Sequence, residues 1–401
     1  MKYDFTTILE RKGLDALAVD NVGIKMWGNE PDAPKNGFSF IPMWVADMNF
    51  ATCPAVTDAI IKRANHPTFG YFVPRKEYFD ETIKWQEAHH KVKGLKAENI
   101  GYENGVHGCV TSCVSLFSQP GDGVFLHSPF YVGFSGDVEC LGRKPVYSEL
   151  KKDEDGIYRM DFEDMDRKIK ENRVHLAIFC SPHNPTGRVW EYWELEKAME
   201  VFKRNEVIVI SDEIWADITF KGHQHIPTQM VNEWARQNTI AIYAPSKTFN
   251  LAGMIGSYHI IYNKYLRDRV ETFAYNTHYN EQNVLSMYAQ IGAYSKEGYE
   301  WTEELKTVLE KNCQCLADFM NQFDGVSVTM AEGTYMLFVD FTGYCARTGK
   351  TLDDILKAGW DVGIGWQDGR KFRGSCHIRI NTAVPFSLIE EVCDRLKKYV
   401  L

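Results

Sequence analysis

Apolar positions along the 401-residue chain change rhythm twice. In the middle they form short continuous runs rich in Val and Ile: Gly123–His127, Leu176–Cys180, Val207–Ile210, Thr239–Tyr243 and Ser257–Tyr262. Continuous rather than alternating runs suit strands covered by helices on both faces. Helical patterns separate them, such as Glu191–Arg204, acidic early and basic late, which complements the helix dipole. This alternation predicts an α/β domain with a mostly parallel central sheet flanked by helices. After about residue 290 the rhythm changes. A long amphipathic stretch, Tyr299–Phe323, precedes apolar strands at Val326–Met330 and Met336–Phe341. A helix near Thr351–Trp360, a strand Cys376–Asn381 and a helix Ser387–Tyr399 come next. These predict a smaller α+β domain. The first 45 or so residues are irregular, with Pro31, Pro34, Gly37 and Pro42, and are expected to wrap onto it. The expected organisation is an N-terminal segment 1–50, a large domain 51–290 and a small domain 291–401.

Composition narrows the function classes. The chain is 44% hydrophobic and 25% charged, ordinary for a globular protein. It has no run of 18 apolar residues, so no membrane helix is expected. Met1-Lys2-Tyr3-Asp4-Phe5 lacks the apolar core of a secretory signal, which favours a cytoplasmic protein. The net charge of −9 and the lack of a basic block argue against a nucleic-acid partner. The ten cysteines include no Cys-x-x-Cys pair and no zinc-like Cys/His spacing, so buried thiols in a reducing compartment are expected and a metal site is not.

The informative residues stand just after the central strands. Tyr131 comes after the first run, Asn184 after the second, Asp212 after the third and Lys247 after the fourth. Ligands bind at the carboxyl ends of strands in open α/β sheets, so an aromatic, an amide, a carboxylate and a lysine at four successive strand ends define one candidate site. Lys247 precedes the charge-poor segment Thr248–Met254, surroundings that lower a lysine's pKa and make its amine nucleophilic toward a carbonyl. Asp212, after a buried-looking run, needs a cationic partner. Asn104-Gly105-Val106-His107-Gly108 opens an apolar helical pattern, and a glycine turn at a helix N-terminus offers free N–H groups to a phosphate. It is neither a Walker loop nor a dinucleotide fingerprint, which disfavours a nicotinamide oxidoreductase. An electrophilic carbonyl, a ring nitrogen, a stacking face and a phosphate are together the demands of pyridoxal 5′-phosphate.

Pro42-Met43-Trp44-Val45-Ala46-Asp47-Met48-Asn49-Phe50, Ser181-Pro182-His183-Asn184-Pro185-Thr186-Gly187-Arg188-Val189-Trp190, Ser246-Lys247-Thr248-Phe249-Asn250-Leu251-Ala252-Gly253, Gly333-Thr334-Tyr335 and Ile378-Arg379-Ile380-Asn381 carry a resemblance. The sequence resembles the fold-type I pyridoxal-phosphate enzymes of the aspartate-aminotransferase superfamily, and within them the MalY/PatB branch of cysteine-S-conjugate β-lyases of the cystathionine β-lyase type. The resemblance implies a role for each matching residue. Lys247 is the Schiff-base lysine and the base for the α-proton. Asp212 pairs with the ring nitrogen. Asn184 donates to the ring's phenolic oxygen, Tyr131 stacks on the ring, and Gly105, Val106 and His107 form the phosphate turn with Ser246 helping. His107 stands there as a backbone donor. Arg379 grips the substrate carboxylate, a bidentate task for a guanidinium, with Asn184 and Ala46 beside the substrate. Tyr71, in Phe69-Gly70-Tyr71, reaches the phosphate of a neighbouring subunit, so a homodimer with shared sites is implied.

Three positions depart from the branch. Trp215 stands where Tyr or His is common; an indole donates one hydrogen bond but exchanges no proton. Ile255 stands where aminotransferases place a phosphate-binding arginine. Phe72-Val73-Pro74 differs from the usual run after Tyr71. The resemblance implies β-elimination from an amino acid with a leaving group on Cβ, giving pyruvate, ammonia and a thiol. An aminotransferase, and a cofactor-binding regulatory protein with residual lyase activity, are the alternatives.

Overall fold

The computed structural model describes residues 1–24, 28 and 30–401. A seven-stranded sheet is built from β1 (Ile100–Glu103), β2 (Gly123–Ser128), β3 (Lys144–Glu149), β4 (Leu176–Cys180), β5 (Ile208–Asp212), β6 (Thr239–Tyr243) and β7 (Ser257–Ile260). Their order is β1-β7-β6-β5-β4-β2-β3. The inner strands β4 and β6 are apolar and buried along their length because both faces are covered. Ala177, Phe179 and Val209 pack under the helices Phe162–Asn172 and Tyr192–Arg204. Ile178, Ile210, Ile240 and Ile242 face α1 (Val106–Phe117), α2 (Val132–Cys140) and the helix Lys264–Thr277. The α/β class and the mostly parallel sheet expected from the sequence are therefore present.

Two details differ from the expectation. The strand β7 runs antiparallel to both of its neighbours. It comes after β6 through a turn holding only the 3₁₀ segment Ala252–Met254, without a crossover helix, so the chain re-enters the sheet from the end at which it left. And β5 continues past Ile210 to Asp212, which pairs with Cys180 on one side and Ile242 on the other.

The C-terminal part carries a three-stranded antiparallel sheet, with β8 (Met336–Asp340), β9 (Gln367–Asp368) and β10 (His377–Asn381) in the order β8-β10-β9. Helices Lys296–Met320, Leu352–Asp361 and Phe386–Tyr399 pack around it. The expected strand at Val326–Met330 is absent. Only an isolated bridge, Ser327 to Asp340, forms there. The Asn321 side chain takes both backbone groups of Val328 (2.9 and 3.0 Å) that a ladder would have used. The N-terminal segment lies against this part: Ile41–Pro42 pairs in parallel with Ile364–Gly365, and the Phe5 ring packs on Phe50 and Trp301. No helix among the described residues is long and apolar enough to cross a membrane.

Candidate active site

β2 and β4 are sheet neighbours, but the chain leaves β2 for β3 on the outer side before crossing back to β4. Such a reversal opens a crevice at the carboxyl ends of the strands. A cavity of about 200 Å3 lies there, lined by Gly105, Val106, His107, Tyr131, Asn184, Asp212, Trp215, Ser246, Lys247 and Ala46 among others. Ten of the twelve residues singled out from the sequence thus meet in one place. They come from six separate segments: Gly105 caps α1 at φ +79°, a conformation favouring glycine, Tyr131 precedes α2, and Asp212 ends β5.

Lys247 is half-buried, and desolvation first, then the Arg379 charge, pushes its amine down to about 8. Its Nζ donates to the Ala46 carbonyl (2.9 Å), which also accepts from the Tyr335 hydroxyl (3.1 Å). The turn carrying Lys247 is tied to the N-terminal motif: Asn250, at φ +57°, bonds both the N–H and the C=O of Met48 through its side-chain amide. Asp212 is raised to about 6, chiefly by burial; the Ile214 N–H donates to it and the charges of His107 and Lys247 oppose the rise. The carboxylate and the amine are therefore both held close to the point where either protonation state is accessible near neutral pH. Trp215 stands edge-on to Tyr335, ring centroids 4.6 Å apart, with Lys247 Nζ 5.8 Å from its own ring.

Arg379, on the central strand β10, reaches the same place from the C-terminal part. It is buried and donates to Asn184 Oδ1 (3.2 Å), the Trp44 carbonyl (2.9 Å) and Gln367 Oε1 (2.6 Å), while its Nε has no partner. Burial lowers its pKa to about 10. A buried guanidinium with a free N–H and no carboxylate bonded to it needs an anionic ligand. Tyr71 is apart from the cavity. It is fully exposed, with Phe69, Phe72 and Val73 beside it, on a second hollow lined also by Tyr102, Glu103 and Tyr275.

Beneath the lysine turn lies a buried network that sequence reasoning missed. Asp217 accepts from Trp85 Nε1 (2.9 Å), bonds His90 Nε2 (2.9 Å) and accepts from Thr248 Oγ1 (2.7 Å), the residue after Lys247. Burial alone would raise Asp217; these bonds and the His90 charge hold it at about 2. Glu213, next to Asp212, is similarly enclosed by His225, Tyr243 and Ser211. The only sequence signal was a pair of acids directly after an apolar strand. The imidazole of His107 is also engaged, with Asp137 and Tyr131, which its place as a backbone donor did not suggest.

An open sheet with helices on both faces, a desolvated lysine facing a buried carboxylate at its strand ends, and a glycine-capped helix pointing at the same cavity define a cofactor-dependent enzyme of the fold-type I class. The profile of the family "aminotransferase class I and II" matches residues 41–396, and the chain belongs to that family. It is 32% identical to cystathionine β-lyase PatB of Bacillus subtilis over 360 residues, 89% of this chain and 92% of that protein. Cystalysin from Treponema denticola, solved with pyridoxal 5′-phosphate, superposes with a TM-score of 0.89 at 30% identity, covering 99% of this chain and 98% of that one. The pyridoxal-phosphate-bound C–S lyase of Staphylococcus hominis gives 0.89 at 29% identity, with 100% and 99% covered.

Proposed function

We propose that the chain is a pyridoxal-phosphate-dependent C–S β-lyase. It converts an amino acid with a sulfur leaving group on Cβ to pyruvate, ammonia and a thiol, and works in the cytoplasm as a homodimer. The observation that carries the reading is the half-buried Lys247 amine and the buried Asp212 carboxylate lining one cavity with the glycine-capped end of α1. Full-length likeness to PatB and cystalysin supports the lyase over other members of the family.

The residues present fit the cofactor. Lys247 offers an amine of lowered pKa to its aldehyde, Asp212 a carboxylate to its ring nitrogen, Tyr131 a ring face, and Gly105, Val106 and Ser246 the turn for its phosphate. Bound there, pyridoxal phosphate supplies an electron-withdrawing ring that stabilises negative charge at a substrate's Cα. Arg379 binds the substrate carboxylate through its unpartnered Nε and the edge now shared with Asn184. That places the Cα–H near Lys247, whose neutral amine takes the proton and afterwards returns it to the departing sulfur. Asp212 stays ionised against a cationic ring nitrogen, which offsets the burial that raises it in its absence. Trp215 walls the cavity, backed by the buried Tyr335 ring, and exchanges no proton at neutral pH. The N-terminal segment 1–50 and the part 291–401 act as one smaller body that carries Arg379 and Ala46 against the larger one.

Borohydride treatment of the protein saturated with pyridoxal phosphate tests the reading. Peptide mapping is expected to find one stable adduct, on Lys247. An adduct on another lysine, or none, overturns it.

The shared site rests on the surface where Phe69, Tyr71, Phe72 and Val73 are all exposed, an apolar cluster of the kind that marks an interaction face. A Tyr71→Phe variant and a Lys247→Ala variant, each nearly inactive, are expected to recover up to about one quarter of wild-type activity when unfolded and refolded together. In a random mixture half the dimers are hybrids, each with one undamaged site. No recovery in verified hybrid dimers contradicts the shared site.

A further inference from the structure

His107 sits second in α1, on the turn that meets the phosphate, and its side chain does more than the backbone role implies. Nδ1 lies 2.7 Å from Asp137 Oδ2 on α2, and Nε2 lies 3.2 Å from the Tyr131 hydroxyl. The ring occupies a prepared seat: a Cβ on Gly133 would come within 2.0 Å of His107 Cε1. Two elements, α1 and α2, are thus held together through this imidazole at the mouth of the cavity.

The charges around the cavity say what the seat is for. A phosphate ester carries nearly two negative charges near neutral pH, and Asp212 adds another. Ile255, at the position where the resemblance places a phosphate-binding arginine in aminotransferases, lines the cavity. The cavity's lining holds Lys247 and His107 as its cationic groups, and Lys247 is committed to the aldehyde. Its lining also includes Ser246 and Gly256, which are uncharged.

We propose that His107, seated between Asp137 and Tyr131, is the charge partner of the cofactor's phosphate on this chain, at a site where Ile255 supplies no charge. The inference rests on the pyridoxal-phosphate reading and deepens it. The hydrogen bond that the imidazole donates to Asp137 raises its pKa above the ordinary value. Asp137 and Asp212 favour the charged form, Lys247 opposes it, and Tyr131 faces Nε2; Tyr279 faces Gly108 on the same helix. With Nδ1–H given to Asp137, the charged ring also donates Nε2–H to Tyr131, whereas the neutral ring accepts from it. Unlike an arginine, this partner is lost as pH rises through its pKa. The imidazole's contribution to phosphate affinity is therefore full below that pH and is lost above it.

The test uses the full chain freed of cofactor, with pyridoxine 5′-phosphate and pyridoxine as probes. Both lack the aldehyde, so Lys247 forms no bond to either. Histidine-ring NMR tracks His107, assigned from the resonance lost in His107→Gln. Pyridoxine 5′-phosphate is expected to raise the His107 titration midpoint by about one unit relative to pyridoxine. The linked binding measurement is a Kd about tenfold weaker for the phosphate ester in His107→Gln at pH 6.5, with little change for pyridoxine. Asp137→Asn is expected to move the midpoint down. Equal midpoints with both probes, or wild-type affinity in His107→Gln, overturn the proposal while leaving the cofactor reading intact. Failure of the wild-type protein to bind the phosphate ester overturns the cofactor reading, and this inference with it.

Discussion

Lys247→Ala is expected to lower kcat/KM by about 10⁴-fold, roughly 5.5 kcal/mol in the barrier, while leaving the fold intact. Two roles are lost at once: the amine that meets the cofactor's aldehyde and the base that takes the α-proton. The side chain is half-buried and its Nζ donates to the Ala46 carbonyl, which keeps the Tyr335 hydroxyl as a donor when the lysine is removed. Circular dichroism and the thermal midpoint should therefore change little. The same lysine sets the pH dependence. Its amine is lowered to about 8 because charge is costly at this depth. A base must be neutral, so the wild-type rate of α-proton removal should rise with pH and level off above about 8. Hydrogen–deuterium exchange at Cα of a bound amino acid reads this limb directly. A flat profile, or a residual rate in Lys247→Ala within tenfold of wild type, contradicts the role.

Arg379→Ala is expected to cost about 10² to 10³-fold in kcat/KM, about 3 to 4 kcal/mol, the scale of a buried charge-assisted pair. Arg379 also satisfies Gln367, Asn184 and the Trp44 carbonyl, so some of that loss comes from groups left unpaired. The clean readout is discrimination. Wild type should prefer a cysteine-type substrate to the same amine lacking the carboxylate by a large factor, and Arg379→Ala should lose most of that preference. Arg379→Lys should not restore it, because an ammonium lacks the planar fork. If the variant keeps the preference, the carboxylate is bound elsewhere.

Distance along the chain decides how much of the site could be read from sequence. Tyr131, Asn184, Asp212 and Lys247 were legible because each comes directly after a strand of continuous apolar residues, and strand ends of one sheet share an edge. Ala46 and Arg379 carried no such signal. They arrive by packing of segments some 200 and 130 residues from Lys247, and only the resemblance placed them. The apolar run 326–330 misled because burial, not pairing, is what Val326 and Val328 satisfy, with Asn321 serving the backbone. The direction of β7 was hidden because a strand's composition does not record which way it runs. The Asp217–His90–Thr248 network was invisible for a similar reason: its members are polar residues from three elements that become buried only when those elements meet.

The balance between elimination and transamination depends on how the phosphate is held. A transaminase must retain the aminated cofactor between half-reactions with no covalent bond to the protein, whereas a β-lyase restores the bond to Lys247 at every turnover. Ile255 removes a permanent charge from that task, and a titratable imidazole holds the phosphate less firmly than a guanidinium. The most direct measurement compares steady-state rates on cystathionine and cysteine, monitored as pyruvate, with rates on alanine, glutamate and aromatic amino acids in the presence of a keto acid, monitored as new amino acid. Elimination is predicted to exceed transamination at least about tenfold in kcat/KM, about 1.4 kcal/mol. Faster, keto-acid-dependent turnover of an amino acid without a leaving group on Cβ would contradict the lyase and establish the aminotransferase.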